Sequence, residues 1–214
     1  MSLSTHVVTS VGAFHRAVGV DRLHRLTQRE QFVMVALRAT LIEEETREYK
    51  EALTVFDADR TTENLQHAAK EAADLLYVLA GTADVLGVSE GTQDASLNRL
   101  RAERTAFMWD AVLWSQLRIL NDELTDLGRA IHFGDDTIDL VDDLINDLHY
   151  VTISLHHSAR CHGIPLEEAF DAVHTSNMSK IDPETGQPFE RRFDGKVLKG
   201  PSYQEADLSW LMAA

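Results

Sequence analysis

Apolar residues recur every three or four positions through most of the chain, in long stretches separated by short polar or glycine-containing breaks. Behind Thr27 and Glu30, a capping-box pair, Phe32, Val35, Ala36, Ala39, Ile42, Tyr49, Leu53 and Phe56 fall on one stripe. This predicts a long helix over 28–55. After a polar break at 57–60, Leu65, Ala68, Ala72, Leu75, Leu79 and Leu86 mark a second helix that Gly87 can close, so the two should form an antiparallel hairpin. Residues 87–96 read as a linker, and a third helix over 97–131 holds Phe107, Trp109, Leu113, Leu117 and Leu120. Gly134, Asp135 and Asp136 break the chain, and Thr137 caps a fourth helix running to Gly163 through Leu140, Leu144, Leu148, Val151 and Leu155. Pro165 opens a shorter helix to about Asn177, residues 182–201 read as turns or a hairpin packed on the bundle, and Ser202 with Glu205 reads as one more helix start.

The fold class expected is therefore all-α: a bundle of two related antiparallel helix hairpins with an irregular C-terminal tail. Residues 1–214 form a single domain on this reading, with 1–90 as the first hairpin, 97–177 as the second and 178–214 as the tail. The two hairpins are related in sequence. Glu44-Glu45-Thr46-Arg47-Glu48 aligns with Asp122-Glu123-Leu124-Thr125-Asp126, and Asp74-Leu75-Leu76-Tyr77-Val78 with Asp147-Leu148-His149-Tyr150-Val151.

Composition narrows the partners. Thirty-five acidic against 20 basic residues leave a net charge of −15, which repels a nucleic-acid polymer and favours cations. A single cysteine, Cys161, excludes an intrachain disulfide and a thiolate cluster; it is expected as an inert core thiol in a reducing cytoplasm. The first ten residues lack a signal-peptide pattern, and Arg38 interrupts the most apolar run, 32–42, so no membrane span is expected.

The acidic residues are patterned. Residues three apart share a helix face, so Glu45 projects with Glu48, and Glu71 with Asp74 on the next helix. Glu45 lies between Ile42 and Tyr49 on the apolar stripe, and Asp74 is embedded in Ala72-Ala73-Asp74-Leu75-Leu76-Tyr77, so both look inward. Four carboxylates converging between helices raise one another's pKa or require a cation, and an oxygen-only set suits Mg²⁺, with Mn²⁺ as a substitute. Di-iron bundles carry a Glu-x-x-His motif that does not accompany these acids. A zinc reading of the histidines is disfavoured because His156 and His157 are adjacent and point to different faces. Trp109, Trp114 and Phe107 are read as core or interface rather than as base-stacking residues.

Glu44-Glu45-x-x-Glu48, 22 residues, then Glu71-x-x-Asp74 resembles the signature of the all-α nucleoside triphosphate pyrophosphohydrolases, the MazG and dimeric dUTPase superfamily. The segments Gly163-Ile164-Pro165-Leu166-Glu167-Glu168-Ala169-Phe170, Val173-His174-x-Ser176-Asn177-Met178-Ser179-Lys180 and Asp194-Gly195-Lys196-Val197-Leu198-Lys199-Gly200-Pro201 resemble its phosphoribosyl-ATP pyrophosphohydrolase-like branch. The resemblance covers roughly two thirds of the chain. It implies hydrolysis between the α and β phosphates to a nucleoside monophosphate and pyrophosphate, with Glu45, Glu48, Glu71 and Asp74 holding magnesium. Glu44 is a candidate for orienting or accepting a proton from the attacking water. It also implies that Asn177 and Lys180 face the nucleotide, in their own or a neighbouring subunit's site. Arg191, Arg192, Lys196 and Lys199, set against Asp194 alone in 191–201, offer phosphate contacts.

The chain departs from that pattern. The tail segments follow the second hairpin rather than the Glu-x-x-Asp helix. The position matching Glu71 is Leu144, with Asp143 one residue out of register, so the second site looks degenerate although Glu123, Asp126 and Asp147 persist. The function expected is Mg²⁺-dependent hydrolysis of a surplus or non-canonical nucleotide such as dUTP by a cytoplasmic homodimer, since a chain holding two hairpins needs fewer partners to complete a bundle. The alternatives are phosphoribosyl-ATP hydrolysis in histidine biosynthesis and a non-catalytic nucleotide-binding helical module.

Overall fold

Local signals set the helix ends. In the computed structural model, which describes residues 4–88, 105–192 and 195–212, six α-helices account for the described architecture. They are α1 (Thr5–Ala17), α2 (Gln28–Ala58), α3 (Thr62–Leu86), α4 (Ala106–Phe133), α5 (Ile138–Cys161) and α6 (Leu166–Met178), with a 3-10 turn at Leu23–Arg25. The Thr27 hydroxyl accepts from Glu30 N while the Glu30 carboxylate accepts from Thr27 N, so the capping box that announces α2 is formed. Thr61 caps α3 through Asn64 N, and Gly87, at φ +89°, ends it in a left-handed conformation that side chains rarely adopt.

The helices pack as two hairpins, α2 with α3 and α4 with α5, laid against each other so that α2 meets α4 and α3 meets α5. Helices α1 and α6 cover the remaining side of α3. Helix α3 is thus surrounded, which its composition permits. Ala68, Ala69, Ala72, Ala73, Ala80 and Ala83 are buried and let neighbouring helices approach, while Leu75, Leu76 and Leu79 fill the space between. Glu71 and Asp84 on α3 are consequently drawn into the interior.

Several expectations need correction. Helix α1 is absent from the sequence reading, yet Ser4 caps it and Val7 and Val11 bury one face. Cys161 is exposed, because it is the last residue of α5 and not part of the core. Thr137 makes no capping hydrogen bond; Asp136 Oδ1 accepts from Ile138 N instead. No helix starts at Ser202. That segment is tied to the end of α6 through Ser202 Oγ to Ser179 O and Gln204 N to Ser179 Oγ, which holds it in a non-helical path. Phe107 is exposed, whereas Trp109 stacks on His157 and Trp114 packs edge-on to Tyr49. The beginning of the expected third helix and the 87–96 linker lie largely outside the described residues.

The tail 181–200 makes short antiparallel bridges, Ile181 with Pro188 and Arg191 with Val197. It is fastened at both sides of a groove: Arg191 donates to Val18 O at the end of α1, and Lys196 Nζ donates to Glu44 Oε2 on α2 at 2.7 Å. Among the described residues no helix is long and apolar enough to cross a membrane.

Candidate active site

The hairpin α2–α3 brings Glu45 opposite Glu71 and Asp74, whose spacing on α3 puts them on one face. One carboxylate oxygen from each lies within 4.8 Å of the others. Glu71 is only 5% exposed. Burial, reinforced by the charges of Asp74 and Glu48, pushes Glu45 up to about 8. A cation already leans on this cluster: Lys70 Nζ donates to Asp74 Oδ2 at 2.7 Å and to Glu71 Oε1 at 2.9 Å. His67 Nε2 stands 3.4 Å from the same Glu71 oxygen. Glu71 Oε2 is buried with no hydrogen-bond partner. Three convergent carboxylates, one with an orphaned oxygen, fit a hard divalent ion that takes oxygen ligands.

Beside these acids opens a cavity of about 130 Å³, bounded by Glu45 and Asp74 at one part and by Asn177, Lys180 and Lys196 at another. Lys180 Nζ donates to Asn177 Oδ1 at 2.5 Å. Burial pulls the Lys180 ammonium down while Asp74 works against it, so this cation is held near the acids at some desolvation cost. Asn177, Lys180 and Lys196 therefore meet the acids of their own chain. The remaining lining is mixed, with Phe14, Leu41 and Val78 beside His15 and Arg38.

Other expected residues lie elsewhere. Glu48 is exposed and outside the 4.8 Å group, although its charge still acts on Glu45. Glu44 is engaged by the tail, with Lys196 at 2.7 Å and Arg192 Nη2 at 3.6 Å, and these cations hold its carboxyl below the usual range. In that state it is a weak proton acceptor and a good anchor. Lys199 is separated from the cavity lining; it sits 4.4 Å over the Tyr203 ring and 3.9 Å from Glu205.

Among its described residues the second hairpin carries no equivalent triad. Leu144, in the place of Glu71, is completely buried, and Asp126 pairs with Arg129 at 2.8 Å. Glu123 and Asp147 instead act on each other, with Glu123 pushed up to about 7 by burial and by Asp147 and Asp143.

A buried polar cluster outside the expected site residues adjoins the cavity, with His15 and Arg38 in its lining. His15 Nδ1 lies 2.8 Å from Asp84 Oδ2, Arg22 Nη2 donates to Asp84 Oδ1 at 3.3 Å, and Arg38 faces the same carboxylate. Burial pulls Arg38 down to about 10, and its Nε has no hydrogen-bond partner. The signal available was Arg38 itself, a charge on the apolar stripe of α2. Lys70 was also missed, although its i to i+4 spacing to Asp74 predicts the contact.

Residues 11–101 match the family model of phosphoribosyl-ATP pyrophosphohydrolase, a member of the all-α nucleoside triphosphate pyrophosphohydrolase superfamily and a hydrolase of acid anhydrides. The match spans most of α1 and all of α2 and α3, hence the three convergent acids, but less than half of the chain. The tail with Asn177, Lys180 and Lys196 lies beyond it. Nothing among curated proteins or solved structures matches the chain.

Proposed function

We propose that this all-α pyrophosphohydrolase cleaves a nucleoside triphosphate between the α and β phosphates, releasing a nucleoside monophosphate and pyrophosphate, with Mg²⁺ as cofactor and Mn²⁺ as substitute. The observation carrying the reading is the single cavity that places Glu45 and Asp74, with Glu71 adjoining, beside Lys180 and Lys196. Acids and cations in one cavity serve a metal-triphosphate, which is anionic and partly neutralised at once.

In this reading Glu45, Glu71 and Asp74 hold the ion, with Glu48 contributing charge from the rim. When bound, the ion neutralises phosphate charge and lowers the pKa of a bound water. Lys180, positioned by Asn177, binds phosphate oxygens and stabilises the charge that develops on the leaving pyrophosphate. Lys196 does the same from the tail, and Glu44 fixes Lys196 in place. No covalent nucleophile is required.

The role inferred is removal of a surplus or non-canonical deoxynucleotide such as dUTP in the cytoplasm. Phosphoribosyl-ATP is the second substrate to consider, favoured by the family match of residues 11–101. A homodimer completes the proposal: Phe32, His132 and Phe133 form an exposed aromatic patch, with ring centroids 5.6 and 5.0 Å apart in succession and Phe133 71% exposed.

The test is a panel of dUTP, dCTP, dTTP, dATP, dGTP and phosphoribosyl-ATP with Mg²⁺, assaying pyrophosphate and orthophosphate separately with a chelator control. Pyrophosphate from one nucleotide, silenced by chelator, is the expected result. Orthophosphate alone, or chelator-resistant turnover, overturns the reading.

A further inference from the structure

Helix α2 carries a line of residues that runs out of the acid cavity. Met34, Leu37, Leu41 and Glu45 follow one another at three- and four-residue spacing, so they share a face of the helix. Leu41 and Glu45 line the cavity beside the acids, whereas Met34 lines a second hollow of about 500 Å³ together with Leu26, Val33 and the exposed Arg29 and Arg191. Leu37 lines both, as do Val20 and Gly195. The two hollows are therefore neighbours along α2. Helical rise sets Met34 about 16 Å from Glu45, a span that a phosphate chain, sugar and base laid end to end can cover.

The boundary between the hollows is free of side chains on the tail's part. Gly195, at φ +97°, brings the tail backbone over Leu37, where a Cβ would stand 3.8 Å from Leu37 Cδ2. Arg191 fixes the tail in this position by donating to Gly195 O at 3.3 Å and to Val18 O at the end of α1. Beyond the boundary the apolar side is left uncovered, with Val33 50% exposed and Met34 only partly buried. Aliphatic side chains open to solvent within a concavity are the lining from which small-molecule sites gain affinity.

The occupant follows from what the first cavity leaves out. That cavity measures about 130 Å³, and its charged lining of Glu45, Asp74, Lys180 and Lys196 matches an ion and phosphate oxygens. Sites that enclose a whole small molecule measure roughly 300–1,000 Å³, so a nucleotide whose phosphates lie among these groups carries its sugar and base outside them. We propose that the second hollow is the nucleoside subsite: the sugar passes between Leu37 and Gly195, and the base packs on Val33 and Met34. This rests on the first cavity being the metal-triphosphate site proposed above.

The experiment is calorimetric binding, with Mg²⁺, of α,β-methylene-dUTP and α,β-methylene-dATP, in which the α–β bridge cannot be hydrolysed, against inorganic tripolyphosphate, which has the phosphates and no nucleoside. Wild type is compared with Val33→Gln and Met34→Gln, each checked for folding by its melting curve. Glutamine brings no charge to act on the phosphates, and Val33 is exposed enough for its replacement to leave the core intact. The expected result is that wild type binds at least one methylene nucleotide about tenfold or more tighter than tripolyphosphate, and that each variant loses most of this margin. Tripolyphosphate affinity should stay within about twofold, since the phosphates lie at the far end of the groove. A margin kept in either folded variant overturns the proposal, as do equal losses for nucleotide and tripolyphosphate, or a wild type that gains nothing from the nucleoside or binds no nucleotide. A kept margin with a dimer dispersed by Val33→Gln in sedimentation assigns the hollow to a second copy of the chain instead. A margin lost in both variants, in a wild type that releases no pyrophosphate from any nucleotide, upholds the subsite and overturns the hydrolase reading.

Discussion

Lys70 Nζ donates to Asp74 Oδ2 at 2.7 Å, one helical turn along α3, and thereby places an ammonium among the acids proposed to hold a divalent ion. The lysine and the metal compete for the same carboxylates. In Lys70→Gln the metal-free acids lose their compensating charge, so the melting temperature is expected to fall by a few degrees, corresponding to about 1 kcal/mol for a half-exposed pair. Saturating Mg²⁺ should recover more stability in the variant than in wild type. Thermal melts with and without Mg²⁺ check this, and an equal Mg²⁺ increment in the two proteins contradicts it.

The acids should differ in weight. Glu71 is buried with an orphaned oxygen and Asp74 lies within the 4.8 Å group, whereas Glu48 stands on the exposed rim. Glu71→Gln and Asp74→Asn are expected to abolish measurable pyrophosphate release while leaving helicity intact. Glu48→Gln should retain activity with Mg²⁺ affinity reduced by about 10–100-fold, the scale of supporting residues around a metal. Equal losses in all three would place Glu48 among the direct ligands.

Lys180 and Lys199 separate on the same logic. Lys180 faces the acids and is hydrogen-bonded to Asn177, while Lys199 sits over Tyr203 beside Glu205. Lys180→Ala should lower kcat/KM by about 10–100-fold, the worth of one charged hydrogen bond. Lys199→Ala should stay within about twofold of wild type, as expected for an exposed pair. Steady-state kinetics on the preferred nucleotide distinguish them.

What was legible in the sequence followed from local rules. The capping box at Thr27 and Glu30 and the left-handed Gly87 mark helix ends through backbone hydrogen bonds that neighbouring residues decide. Glu45 and Asp74 were readable because each interrupts an apolar stripe. Arg38 does so too, but its partner Asp84 is 46 residues away and His15 lies on α1, so only packing reveals the cluster. Helix α1 carries Val7, Val11 and His15 at four-residue spacing, a pattern too short to stand out without the α3 surface it covers. The Ser202-x-x-Glu205 pattern failed for the opposite reason: hydrogen bonds to Ser179 outweigh a local capping preference.

Self-association has a defined surface to test. Phe133 ends α4 beside His132 and Phe32, and its ring is mostly in solvent. Replacement by serine removes apolar contact without disturbing a buried position. Phe133→Ser is expected to shift the sedimentation profile of the protein from dimer toward monomer at equal concentration, with its melting curve otherwise cooperative. A wild-type monomer, or an undisturbed dimer in the variant, assigns the patch no part in assembly.

The second hairpin predicts a pH dependence. Glu123 is pushed up to about 7 by burial and by Asp147 and Asp143, above its ordinary 4.5. The folded protein therefore holds a proton that the unfolded chain releases between those values, and stability must fall as pH rises through that window. Above about 7 the folded state carries the repulsion in full, moderated by solvent because the site is partly open. Glu123→Gln, which is neutral at every pH and can still donate to Asp147, should raise the melting temperature at pH 8 by a few degrees and flatten its decline between pH 5 and 7. Because no third acid converges with Glu123 and Asp147 among the described residues, the Mg²⁺-induced shift should be the same in variant and wild type. An unaltered pH slope would remove the shared proton, and a lost Mg²⁺ shift would make the second hairpin a metal site.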